Sequence, residues 1–225
     1  MARTVALVCA LGILWLVVQP AAAGEAEAKA VKFVKKYGGQ LKFDTKSPGE
    51  PVIGVDVKNL KWTDLEVKEL APLTGLTELS LAGNDVTDKA LETVAGMKKM
   101  VKLDLSRTKV TGSGMAKVAE LKDLRELNLT STAVDDTGLK SLAALAELRI
   151  LKLARTKITE VGVKELVACK RLLKLDLTNT AITDETLKQL AALSELADLW
   201  IEDTKTGDAA VEQLQKALPK CRIHR

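Results

Sequence analysis

Five aspartates in this chain recur on one spacing. Asp64, Asp88, Asp136, Asp184 and Asp208 stand 24 or 48 residues apart. A column of carboxylates could hold a cation such as calcium, but that ion needs several oxygens converging on each site. Here each acid stands next to a small polar residue or glycine, as in Thr63-Asp64, Thr87-Asp88 and Thr183-Asp184. A Thr/Asp pair suits a helix N-cap, where short polar side chains satisfy free amides and an acid meets the positive end of the helix dipole. Capping is therefore expected, with no metal and no cofactor. The single histidine, His224, is penultimate and reads as a frayed end. No H-E-x-x-H, G-x-S-x-G or phosphate-cradling glycine loop occurs. With no catalytic constellation in view, an enzyme is not expected.

The same spacing governs the apolar residues. Val52, Leu76, Met100, Leu124, Leu148, Leu172 and Leu196 are 24 residues apart, and two further columns run from Val55 to Leu199 and from Val57 to Ile201. A period of this length in strict register signals a solenoid. Within a unit, L-x-x-L-x-L alternates at period two, so Leu127 and Leu129 share one face of a strand while Asn128 points to the other. A column of Thr108, Thr132, Thr156, Thr180 and Thr204, with Asn84 in the same place, suits a turn whose polar side chain bonds a neighbouring coil's backbone. The second half of each unit has helical spacing, as in Leu139, Leu142 and Leu145. One strand, turn and short helix cannot bury its apolar stripe alone, so stacked copies must share a core.

This pattern resembles the leucine-rich-repeat family. The residues that carry the resemblance are units such as Leu124-Arg-Glu-Leu127-Asn-Leu129-Thr-Ser-Thr132-Ala-Val134, followed by Asp136-Thr-Gly138-Leu139. The family's usual turn asparagine stands only at Asn84; threonine replaces it elsewhere, and Leu60 holds the place in the first unit. The I-T-D segment at Ile182-Thr183-Asp184 is similar to the cysteine-containing subclass, without that subclass's cysteines. The resemblance implies an α/β fold, a right-handed solenoid or horseshoe, with a parallel β-sheet on the concave face and short helices on the convex face.

Seven repeats are expected over residues 52–219. Residues 1–23 have Arg3, an apolar run from Val5 to Val18 and Ala21-Ala22-Ala23, the features of a cleaved signal peptide. The run is short for a membrane span, so a membrane contact is expected only if this segment is retained. The chain is accordingly expected to be exported: periplasmic, in the cell envelope, or secreted. Residues 24–51 read as an N-terminal cap, with a helix from Glu25 to Tyr37 and a short strand from Gln40, and residues 220–225 as a capping strand or tail. Without the leader, 33 basic and 30 acidic residues remain, a balance that offers no case for nucleic acid. Cys169 and Cys221 lie two coils apart, roughly 10 Å, which is too far for a disulfide.

What remains is the outward side of the strands. Its side chains are mixed in charge, seven acidic and four basic, and the resemblance implies that they line a ligand-binding face. The candidate binding residues are Trp200, flanked by Asp198 and Glu202, together with Asp104, Asn128, Lys152, Asp176, Arg107 and Arg155. Trp200 stands out because an outward strand position has no structural need of an apolar ring, and tryptophan is enriched at interface hot spots. Its alternative role is packing on a neighbouring coil or capping the end. The expected function is protein or peptide binding. Self-association as an envelope component, or surface carbohydrate recognition, is the alternative.

Overall fold

The sequence repeats its switch from period two to helical spacing, and the chain answers with one coil per repeat. The computed structural model describes residues 20–225. The proposed leader lies outside the described residues except for the backbone of 20–23, which begins the first helix. After α1 (Pro20–Lys36) come β1 (Gln40–Phe43) and β2 (Val52–Asp56). The repeats then alternate: α2 (Asp64–Lys68), β3 (Glu78–Ser80), α3 (Asp88–Val94), β4 (Lys102–Asp104), α4 (Met115–Val118), β5 (Glu126–Asn128) and α5 (Asp136–Leu142). They continue through β6 (Ile150–Lys152), α6 (Glu160–Leu166), β7 (Lys174–Asp176), α7 (Asp184–Leu190), β8 (Asp198–Trp200), α8 (Asp208–Ala217) and β9 (Arg222–His224).

The nine strands among the described residues form one sheet in chain order. From β2 onward the pairing is parallel and moves one coil at a time, so Leu79, Leu103, Leu127, Leu151, Leu175, Leu199 and Ile223 stand side by side. β1 is the exception: it runs antiparallel along β2, with Leu41 opposite Val55. The strand leucines point inward against the helices and are buried without exception from Leu79 to Leu199. Each such side chain, fully buried, contributes about 1.5–3 kcal/mol. The core is thus a continuous apolar rod closed at the first coil by Ala30 and Val34 of α1. Gly38, with φ of 80°, ends that helix in the left-handed conformation, and Gly39 donates back to the Val34 carbonyl.

Two local expectations are corrected. The helices are short, and α5 ends at Leu142, so Leu145 reaches the core from the following turn. The chain has to leave the helix there to descend to the next strand. The turn threonines do not bridge coils: Thr108, Thr132, Thr156 and Thr180 each donate to the carbonyl three residues back, within their own coil. Threonine's hydroxyl is too short to do more. Asn84, one bond longer and with both donor and acceptor, does bridge. Its Nδ2 donates to Val57 of the preceding coil and its Oδ1 accepts from the Trp62 amide.

Candidate ligand-binding face

From Asp64 to Asp184 the aspartate column is an inter-coil brace, and Asp208 pairs with Arg225. Thr63, Thr87, Thr159 and Thr183 take the extended N-cap conformation, and each acid follows as the first helical residue. Asp64 then accepts from the amide and hydroxyl of Thr87, one coil on, at 2.8 and 2.6 Å. Asp88 does the same to Thr111, and Asp136 to Thr159. These carboxylates are occupied by the next coil's N-cap. Among the described residues no three His, Cys, Asp or Glu side chains gather as a metal site. Among the described residues the two cysteines, Cys169 and Cys221, are free and buried.

The opposite side of the molecule is the outward face of the sheet, carried on two rows. Strand-first positions read Gly54, Glu78, Lys102, Glu126, Ile150, Lys174, Asp198 and Arg222. Strand-third positions read Asp56, Ser80, Asp104, Asn128, Lys152, Asp176, Trp200 and His224. Opposite charges stand near each other along the first row, Lys42 reaching across Gly54 of β2. Lys42 of β1 meets Glu78 at 2.7 Å, Lys102 meets Glu126 at 3.8 Å, and Lys174 meets Asp198 at 3.1 Å. At the strand-third positions Asp56, Asp104, Asn128 and Asp176 each accept from the amide two residues on, which finishes the strand. One carboxylate oxygen of each aspartate stays available.

The proposed site residues divide on this face. Asp104, Asn128 and Lys152 line an open hollow of about 350 Å³ that runs over β1 to β6. Lys152, Asp176 and Trp200 line a second hollow of about 380 Å³ over β5 to β8, whose apolar contribution comes from Ile150 and Trp200. The two hollows share Glu126 and Lys152 at their common rim. Glu202, Arg107, Arg155 and Asp198 line neither. Glu202 is tied to the Thr178 hydroxyl at 2.8 Å. Asp198 is buried among Lys174, Arg222 at 2.7 Å and His224 at 3.7 Å. Burial pushes its carboxyl up, but the hydrogen bond from Lys174 and the Arg222 charge more than offset this, so it lies below the usual carboxylate range.

Trp200 and His224 give each other a fixed orientation. Their rings stack at 4.7 Å and 6°, so the histidine is part of β9 and not a frayed end. Trp200 is half-buried, and the sheet face is otherwise polar around it apart from Ile150. Ile150 was missed as a site residue although its signal is plain in the sequence. It is the one large apolar side chain in a row where the other repeats carry charge or glycine.

Arg107 and Arg155 belong to a third row, just beyond the strands, in which Asn59, Gly83, Arg107, Ser131, Arg155, Asn179 and Asp203 all have φ between 54° and 67°. This left-handed bend turns the chain while each amide still bonds the next coil; Arg107 donates to Thr130 and Arg155 to Thr178. Both arginines are exposed, and among the described residues neither side chain has an ionic partner.

Comparison with known proteins agrees with this architecture. The family described as Leucine Rich repeat matches residues 74–95 and 121–143. No curated protein matches the sequence. Among solved structures, internalin C2 from Listeria monocytogenes is 25% identical with a TM-score of 0.64, covering 87% of this chain and 81% of its own. A second Listeria internalin is 22% identical with a TM-score of 0.60 over 70% of this chain and 43% of its own. The plant peptide hormone receptor RGFR1, solved in complex with RGF2, is 17% identical with a TM-score of 0.58, covering 82% of this chain. The chain thus spans less than half of that second internalin and 36% of the receptor. Among the described residues no helix is long and apolar enough to cross a membrane.

Proposed function

The chain is a leucine-rich-repeat protein, and from that premise we propose that it is an exported interaction module whose sheet face binds a protein or peptide without catalysis. The observation that carries this reading is the convergence of Ile150 and Trp200, two apolar side chains on a polar face, in one hollow. Partly exposed apolar groups cost solvation unless something covers them, and an aromatic ring in a pocket is the usual anchor of an interface. The face is also pre-organised. Its first-row charges are paired, its strand ends are capped, and Trp200 is held by His224, so few side chains must be ordered on binding. The receptor neighbour, solved with its peptide, supports a peptide or protein partner in general terms.

Affinity capture tests the reading. The full chain is immobilised and exposed to the envelope and secreted fractions of the native cell, beside a variant carrying Trp200→Ala, Arg107→Ala and Arg155→Ala. The expected result is a partner retained by the native face and lost from a variant that melts at the same temperature. Equal retention by both moves the site off the sheet. Capture of the chain's own copies alone replaces the reading with self-association.

A further inference from the structure

The two hollows differ in chemistry, and the difference describes a ligand. The β5–β8 hollow carries the apolar side chains of Ile150 and Trp200, two strands apart. In the β1–β6 hollow, Glu78 and Glu126 are already neutralised by Lys42 and Lys102. Asp56 and Asp104 are not: each bonds only a backbone amide of its own turn. They flank Ser80 in register on three successive strands. Strands stack about 4.8 Å apart, so a group placed over Ser80 lies about 5 Å from the line of each carboxylate. A cation there would be attracted by both. The centres of the hollows are three to four coils apart, about 14–19 Å, the length of roughly four to six residues of extended chain. Lys152, exposed on their shared rim and without an ionic partner among the described residues, offers donors to the carbonyls of a backbone passing over it.

Resting on the sheet-face reading above, we propose that the ligand is an extended peptide segment that seats an apolar side chain between Ile150 and Trp200 and places a lysine or arginine four to six residues away over Asp56, Ser80 and Asp104. The apolar group removes the exposed faces of Ile150 and Trp200 from water, and the cation supplies the partner that the two aspartates lack. An acidic peptide would set its charges against Asp56 and Asp104, which is the element of discrimination.

The experiment pans the full chain against a displayed library of random twelve-residue peptides and then titrates the selected sequences. Two variants read the two halves separately. Ile150→Gln removes the apolar group without adding charge, in a row whose other members are charged or glycine. Asp56→Asn with Asp104→Asn removes charge and keeps the strand-end bond, because Asn128 makes that same bond to Thr130. The proposal expects selected peptides to share an apolar residue and a Lys or Arg four to six positions apart. It expects each variant to weaken them about tenfold or more, with only the aspartate variant abolishing the salt dependence. Selected peptides that bind the sheet face but lack this spacing, or that are acidic, overturn the proposal and leave the sheet-face reading standing. Peptides indifferent to both variants and to Trp200→Ala overturn both readings. A library that enriches nothing overturns the peptide chemistry, while the capture experiment still judges the face.

Discussion

At the residue scale the face pairs function with cost. Arg107 and Arg155 sit at φ of 54° and 56°, in a row where Gly83 shows what the backbone prefers. A side chain in the left-handed region costs roughly 1–2 kcal/mol, partly balanced by the greater unfolded-state freedom of glycine. Arg107→Gly and Arg155→Gly are therefore expected to stabilise the protein, by up to about 1 kcal/mol each, and to weaken any ligand that the arginines hold. Urea midpoints beside a binding titration check both signs. Unchanged or lowered midpoints would show that the side chains repay their strain through contacts within the fold. Trp200 teaches a related lesson. Its outward strand position marks it in the sequence, yet its orientation depends on the stacked ring of His224, one residue from the C-terminus.

At the element scale the repeats are coupled through their helix starts, and one junction departs from the rule. Gly112 stands where the neighbouring coils have Asp88 and Asp136, and Asp135 stands where they have threonine. The acid has moved to the next coil, where Asp135 bonds Thr137 and Gly138 and caps α5 itself. A Cβ on Gly112 would lie 2.1 Å from the Asp135 carboxylate and 2.7 Å from the Thr137 hydroxyl. Gly112→Asp alone should cost roughly 1–3 kcal/mol, through crowding and repulsion. Combined with Asp135→Thr, which restores the standard brace, the cost should fall by about 1 kcal/mol or more below the sum of the single changes. A double-mutant cycle in urea measures it, and simple additivity would refute the brace.

The last strand makes a second prediction at this scale. β9 is held to β8 through Asp198, whose carboxyl is lowered because Lys174 and Arg222 outweigh its burial. A depressed folded-state pKa gives stability that is present above the unfolded value near 4 and lost as pH falls through the folded one. Acidification below about pH 4 should loosen β9 and free Trp200 from His224. A Trp200 fluorescence change that is absent in Asp198→Asn is the expected record. An identical change in that variant would place the acid sensitivity elsewhere.

At the scale of the whole molecule each coil touches only its neighbours, so stability is close to a sum over coils and their interfaces. Cys169 lies in the middle of this rod and fills the column of Leu145 and Leu193 with no exposed surface. Burial pushes its thiol up to about 11. A raised folded-state pKa means that the contribution is full below the unfolded value near 9 and is lost as pH rises through about 11. The native protein should leave Cys169 unreactive toward a disulfide reagent at pH 8 and lose stability above pH 9. Cys169→Val should reduce that alkaline slope, the remainder coming from Cys221, whose thiol is also pushed up to about 11 by burial and the Asp198 charge. Rapid labelling of Cys169 in the native state would contradict a continuous core.

How much of this was legible beforehand follows from what a period can encode. The 24-residue recurrence by itself determined the solenoid, the inward leucines and the outward rows, and the family resemblance supplied the parallel sheet. In a stacked repeat, sequence offset and spatial offset are the same quantity, and a slip by one residue would turn every leucine outward. Side chains that cross between coils were a different matter. The reach of the aspartates to the next N-cap, the restriction of the threonines to their own coil and the bridging by Asn84 depend on distances of one bond length. Ile150 and Trp200, fifty residues apart in sequence and two strands apart in space, come to line one hollow. Only the tertiary structure could decide these, because a repeat prescribes which column a residue occupies but not which way its side chain finds a partner.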